Sequence, residues 1–539
     1  MKYIYISLLC LIALSGNSQP WKVEYPFYDE YAGYVSYPVE TYDKGIVFVS
    51  HNNYNHRRII HINKISCDGD LLWQKSIYNP GIGEDFIQLR TTKDGGFVIS
   101  GNANQFDEGD AFVMKLNACG EKEWEIILQD SGNAMYPLMQ NDGYNVLELD
   151  NGNFLLVTYG NFVNSMSYIV LDPQGHYLSH FTIDTQGQRI LNKSKNGDLI
   201  GGGDCYTHEY DSLGNPVDTN TNWKREAVIR LNKDGSFKWF KPFGVEKNLV
   251  YLTPAACEQS NGSIYTCGAD VNFNGWPVYL GKFDADGNNQ WHKVIGLTDI
   301  PKYFEQINAI APINDTTMFI ASWVSYNNPK VNEYRGKVTS VNNEGKVLDS
   351  FVIGSDSKRY GFWGLAKTYD GNMIVAGQTF GPEYDKVHPI LMKMDAKLNI
   401  VNKSGKVYKY DSLCGHAITN DTIHLDTTKY IKFHVDSSKI YRYVYQKNNG
   451  IVGVSLKRLQ LNTYPNPVAE STTIILPALS GSGYTLSLLD MQGQELLQLP
   501  INASQQQISL SLATLRQGMY MIGLYQHGQL IAGGMVVKE

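Results

Sequence analysis

At 539 residues the chain is longer than one ordinary hydrophobic core serves, so two or more domains are expected. Its 50 glycines, 36 tyrosines and only 18% charged residues suit many strands and tight turns, an all-β composition more than a helical one. A formal net charge of −7 is small for this length and argues against a nucleic-acid partner.

The chain opens on Met1-Lys2 and the apolar run YIYISLLCLIAL, which is too short to span a bilayer comfortably. Small residues follow at Gly16 and Ser18, so residues 1–18 read as a signal peptide cleaved before Gln19. Cys10 lies inside the apolar run, not at its end before a small residue, which fits a soluble secretory signal better than a lipid anchor. No later segment approaches a transmembrane helix. Signal removal leaves Cys67, Cys119, Cys205, Cys257, Cys267 and Cys414, none with paired metal spacing. Cys257 and Cys267 flank an SNG turn on expected antiparallel neighbours, so a disulfide there and free buried thiols are both open.

Residues 19–408 repeat. The clearest copy, FIQLRTTKDGGFVISGNANQFDEGDAFVMKLNACGEKEWEIIL, reads as strand, tight turn, strand, variable loop, strand, tight turn, strand. Its first turn, Asp94-Gly95-Gly96, recurs at Asp43-Lys44-Gly45, Asn151-Gly152, Asn196-Gly197, Asn261-Gly262, Asn314-Asp315 and Asp370-Gly371. The second turn recurs as SCDGDLLW, LDPQGHYL, LNKDGSFKW, FDADGNNQW, VNNEGKVL and MDAKLNIV. Asp, Asn and Gly tolerate positive φ and bond their own backbone, which is what such turns need. Seven copies of four strands predict a seven-bladed β-propeller, with eight blades not excluded. Trp73, Trp124, Trp239 and Trp291 begin outer strands, and PWKVEYPF around Trp21 looks like an orphan outer strand. Residues Trp21 to Phe27 are therefore predicted to join the blade containing Asp370-Gly371, in competition with the local segment 399–408. Residues 409–459 lack both turns and read as a β-rich connector.

Residues 460–539 carry the sharpest motif series. Tyr464-Pro465-Asn466-Pro467 feeds a β-branched stretch, Gly493 lies in a hairpin, Gly518 and Tyr520 form a Gly-x-Tyr, Gly528 marks a further turn, and Val536-Val537-Lys538 closes the last strand. In this order the motifs resemble the type A C-terminal sorting domain of the type IX secretion system of Gram-negative bacteria. The resemblance implies a small immunoglobulin-like β-sandwich recognised by the secretion apparatus and its sorting peptidase, delivery through the periplasm and outer membrane, and attachment of many such cargoes to surface lipopolysaccharide.

In a four-stranded copy both short turns share one face, so the loops between second and third strands emerge on the other. Those loops are long, dissimilar and aromatic, and binding usually resides on such loops. They place Tyr210, Trp223, Phe273, Trp276, Tyr334 and Tyr384 as candidate ligand-binding residues, with rings beside Asn and Asp that suit a carbohydrate or a protein ligand. No catalytic motif is found. His51, His56 and His61 are spaced by five, which puts successive ones on opposite faces of a strand, and His416, His424 and His434 are no better as metal ligands. No cofactor is implied; the acidic loop Asp107-Glu108-Gly109-Asp110 offers calcium at most carbonyls and carboxylates without an EF-hand's order. The expected function is a secreted or surface-displayed binding propeller. A hydrolase or lyase would instead need facing carboxylates with raised pKa at the channel mouth, and a structural surface component would self-associate.

Overall fold

The computed structural model describes residues 19–26, 32–35, 37–54, 57–78, 88–104, 109–130, 141–160, 165–183, 191–209, 223–243, 250–270, 278–295, 303–328, 331–355, 357–381, 387–426, 430–433, 440–441, 444–445, 459–477, 479, 482–489, 495–526 and 529–539. Contacts divide the chain into Met1–Val435 and Asp436–Glu539.

The first unit is a ring of seven antiparallel sheets, the blades, which begin in turn at Ala32–Val35, Gln88–Thr91, Asn141–Glu148, Leu191–Lys193, Val250–Glu258, Tyr303–Asn314 and Arg359–Lys367. One turn chemistry joins the third and fourth strands of blades one to six and also follows the third strand of blade seven. In blade one Ser66 N donates to Asp70 O (2.7 Å) and Gly69 N to Ser66 O (3.0 Å), with Gly69 at φ 87° and a register shift beside it. This is a type I turn closed by a left-handed residue, which is why Gly recurs there. Apolar side chains alternate into the gaps between blades. Val49 and Phe97 share one cluster, Val113 and Phe154 the next, and Phe181 meets Phe237 at 5.9 Å. Phe243 and Phe283, Cys257 and Met318, and Phe319 and Phe362 continue the series, and Phe48 and Leu391 complete it.

The last of these contacts depends on the N-terminus. Lys22–Glu24 pairs antiparallel with Val387–Met394, register Val23↔Leu391, and becomes the outer strand of blade seven, the blade of Asp370-Gly371. The local competitor contributes only the bridges Met394↔Ile400 and Pro20↔Asn402, so the ring stays at seven.

The outer-strand tryptophans explain how neighbouring blades are held. Trp73 lies against Gly120, Trp124 against Gly175, Trp239 against Gly287 and Trp291 against Gly345; each glycine belongs to the turn of the following blade. Trp21 completes the series against Gly69, and its Nε1 donates to Cys67 O at 2.7 Å, as Trp124 Nε1 does to Pro173 O at 2.9 Å. Blade six has Asp349 where the ring would stand, and the following turn has Leu398 at φ 63° in place of glycine. Without an indole to accommodate, a side chain fits.

Beyond blade seven the chain becomes a strap. Ser404 N and Gly405 N donate to Asp68, Tyr410 OH accepts Cys67 N, and Asp411 accepts Lys64 Nζ at 2.6 Å. Cys414 is joined to Cys119 by a disulfide. Thr422–His424 then adds parallel to Leu71–Tyr78, and Tyr430–Phe433 parallel to Lys122–Asp130, as fifth strands of blades one and two. Among the described residues these segments form no eighth blade. Cys257 and Cys267 are free and buried, the second of the two alternatives the sequence allowed; burial pushes the Cys257 thiol up to about 12.

The second unit has a five-stranded sheet, in the order Leu459–Gln460, Gln529–Lys538, Gly518–Gln526, Tyr484–Leu489 and Glu495–Ile501. A three-stranded sheet of Asn462–Tyr464, Ser471–Ile475 and Gln507–Ser511 accompanies it. Leu461, Val468, Ile474, Leu486, Ile522 and Val536 meet in one core between them.

Candidate functional site

Antiparallel order sends the first-to-second turns and the turns after each third strand to one face and the second-to-third connections to the other. On the second face, Tyr210, Phe273, Trp276 and Tyr384 lie outside the described residues, as do Asp107 and Glu108 of the acidic loop. Trp223 opens the strand Trp223–Leu231 opposite Thr207. Tyr334 is half-buried and meets Trp323 edge to face, ring centroids 4.9 Å apart. The two are diagonal neighbours, since Trp323 pairs with Gly336 and Tyr334 with Ser325. Their two strands, of 12 residues each and meeting at Asn328↔Val331, are the longest second and third strands among the described residues of the ring.

Described carboxylates toward that face have basic side chains as partners. Glu305 accepts Lys337 Nζ at 2.8 Å and Ser322 Oγ at 2.7 Å. Glu24 bonds Lys358, His388 and Thr379; burial opposes its ionisation, but these bonds outweigh it and hold the carboxyl below its usual value. Glu226 faces His292 Nε2 at 3.3 Å, with the imidazole stacked on Tyr279 at 4.8 Å. The one described carboxylate pushed upward is Glu40. Burial raises it despite two bonds from Tyr369 N, and it lies beside the Thr41–Gly45 turn on the opposite face.

On the turn face the strap makes a second cluster. Cys119 Sγ, Cys414 Sγ and a ring nitrogen of His416 lie within 4.8 Å of one another. His416 Nδ1 is 4.0 Å from Cys414 Sγ and 3.1 Å from Ala417 O, and its Nε2 is 3.2 Å from Glu121 Oε1. Sequence spacing could not find this group, because 295 residues separate the two cysteines.

In the second unit Asn466 ties the Pro-Asn-Pro corner to the last strand: its Nδ2 donates to Met535 O (2.9 Å) and its Oδ1 accepts Val537 N (2.8 Å). Thr472 Oγ1 donates to Pro465 O, and Val468 N to Val537 O. Tyr464 is 80% and Met535 58% exposed, so the corner presents an apolar surface. Gly518 pairs with Lys538, and Tyr520 is buried with its hydroxyl on Arg516 O at 2.7 Å. Gly493 and Gly528 lie outside the described residues. Among the described residues no helix is long and apolar enough to cross a membrane.

Residues 462–538 match the family of secretion system C-terminal sorting domains. No curated protein matches the chain. Among solved structures it is similar to a protein of unknown function from Bacteroides caccae, at 14% identity over 48% of this chain and 81% of that one, TM-score 0.30. It is also similar to the β-propeller domain of the Trilobed protease from Pyrococcus furiosus, at 9% identity over 70% and 100%, TM-score 0.38. A variant of NanB sialidase from Streptococcus pneumoniae stands at 9% over 72% of each chain, TM-score 0.38. The blades themselves carry the fold, and the sorting domain carries the destination: the chain is a β-propeller protein exported by the type IX secretion system across the outer membrane, to the cell surface or the exterior.

Proposed function

We propose that the exported propeller is a binding protein whose variable face captures a carbohydrate or a protein. The observation that carries this reading is the Trp323–Tyr334 pair on the two 12-residue strands that reach toward that face. The paired rings offer an apolar surface, and the sequence around them is rich in Asn, the combination that sugars and extended chains both use. Trp223 and Trp276, with Tyr210, Phe273 and Tyr384, extend the same surface in this proposal. The Tyr464–Pro467 corner and the last strand to Lys538 are what the secretion apparatus and its sorting peptidase read, and surface lipopolysaccharide is where the released propeller attaches.

The test is a glycan array and polysaccharide pulldown with the purified protein, with reducing-sugar release assayed on every hit. Capture without release, lost on replacing Trp223 and Trp276 or Trp323 and Tyr334 with alanine while the melting temperature holds, is the expected result. Capture that survives both double replacements refutes the placement, and sugar release replaces the binding reading with a catalytic one.

A further inference from the structure

We propose that Cys119, Cys414 and His416 form a binding site for a thiophilic d¹⁰ divalent cation of the zinc type when the Cys119–Cys414 bond is reduced, with Glu121 orienting the imidazole. Two thiolates and an imidazole are a donor set such a cation favours, and three protein ligands leave a fourth position for water. The three ligand atoms already lie within 4.8 Å of one another. Bonds of about 2.3 Å to tetrahedral zinc require the freed sulfurs to part to about 3.8 Å, a small side-chain movement.

Both sides of the site are built. Cys119 sits in the outer turn of blade two, where Asn117 Oδ1 accepts Cys119 N at 2.9 Å and Glu121 N at 3.0 Å. Cys414 N donates to Asp411 O at 2.9 Å, and Asp411 itself grips the buried Lys64. Glu121 then acts through the histidine. One of its oxygens accepts Asn117 Nδ2 at 2.9 Å, and the other faces His416 Nε2 at 3.2 Å. That leaves Nδ1 on the sulfur side, where a cation would displace its contact with Ala417 O. A carboxylate on the far nitrogen of a ligating histidine fixes both tautomer and ring direction. A disulfide alone uses neither His416 nor Glu121.

Reduction by a dithiol breaks the S–S bond, transfers two electrons and two protons to the cysteines, and leaves the reductant as its own disulfide. Cation binding then releases both thiol protons. An exported chain passes from a compartment that keeps thiols reduced to one that oxidises them. Each state thereby has its own cross-link between blade two and the strap, a metal in the first and a disulfide in the second.

The test uses the full-length protein, reduced anaerobically with dithiothreitol, freed of reductant, mixed with zinc chloride and desalted. About one zinc per chain retained by reduced protein, little by oxidised protein, is the expected result, and cobalt(II) in its place should give thiolate-to-metal charge-transfer absorption. His416→Ala should weaken zinc in a chelator competition, and Glu121→Gln should weaken it roughly tenfold to a hundredfold without abolishing the cobalt spectrum. Retention unchanged in the Cys119→Ser, Cys414→Ser variant would place the metal elsewhere and sink the proposal. So would absence of retained zinc from reduced protein that circular dichroism shows to be folded, or affinity indifferent to His416.

Discussion

A glycine at positive φ beneath an indole is constrained twice, by backbone conformation and by space, and this chain separates the two. Gly371 has φ 82° and nothing within 4 Å of a would-be Cβ; Gly175 has φ 84° with Trp124 Cε3 at 2.8 Å. Gly371→Ala should therefore cost about 1–2 kcal/mol from the left-handed backbone alone. Gly175→Ala should cost about 1–3 kcal/mol more, because the ring must leave its seat. Equal losses in urea unfolding would mean that docking of Trp124 contributes nothing. Asp43 poses an electrostatic version of the same question. Its side chain is 2% exposed and meets the fully buried Lys64 Nζ at 2.6 Å. Burial opposes ionisation, yet bonds from Lys64, Thr41 and Asp411 N hold the carboxyl below its ordinary value. A depressed folded pKa gives stability that is present above the unfolded value of about 3.9 and is lost as pH falls through the folded one. Asp43→Asn should cost about 3 kcal/mol at neutral pH, since Asp411 still faces the lysine. It should also flatten the acid limb; a variant that loses stability with acid as steeply as the parent would show the carboxylate's contribution lies elsewhere.

Among the elements, the N-terminal strand has the greatest leverage, because three residue pairs join the chain's two distant parts. Trp21 is fully buried, rests on Gly69 and bonds Cys67 O, so Trp21→Ala should cost about 3–5 kcal/mol. Deleting residues 19–28 should lower the melting temperature far more, since blade seven loses its outer strand and blade one its neighbour; an unchanged melt would refute ring closure by this strand. That strand was legible because Trp21 and its alternating partners repeat an outer-strand pattern. The repeated turns were legible because Asp, Asn and Gly gather wherever a chain bonds to its own backbone or needs positive φ. The pairing of Thr422–His424 with blade one and of Tyr430–Phe433 with blade two was not, since a parallel strand added at an edge needs no hairpin and leaves no turn signature. The same limit applied to the sites. Tyr334 stood out as a loop-end aromatic, whereas Trp323 lies eleven residues earlier inside a strand and only the register brings them together. Cys119 and Cys414 had no local pattern to betray them.

At the scale of the molecule, the question is what the last strand does for export. Gln529–Lys538 pairs with Gly518–Gln526 on one side and Leu459–Gln460 on the other, and Val468 forms a parallel bridge with Lys538. Val536 is fully buried in the core shared by both sheets, and Val537 N is the donor that Asn466 accepts. Removing residues 536–539 thus strips the corner of its anchor and the core of an apolar side chain worth about 1.5–3 kcal/mol of burial, a large share of what so small a domain can hold. None of those residues belongs to a blade. The shortened chain should accumulate inside the outer membrane with its propeller melting as in the parent, while protein at the surface and in the medium falls to background. Cell fractionation followed by melting of the retained chain decides it. Export of the shortened protein at parental levels would mean that the apparatus reads some part of the domain that survives without its last strand. Retention together with a collapsed propeller would mean that the two units depend on each other for folding.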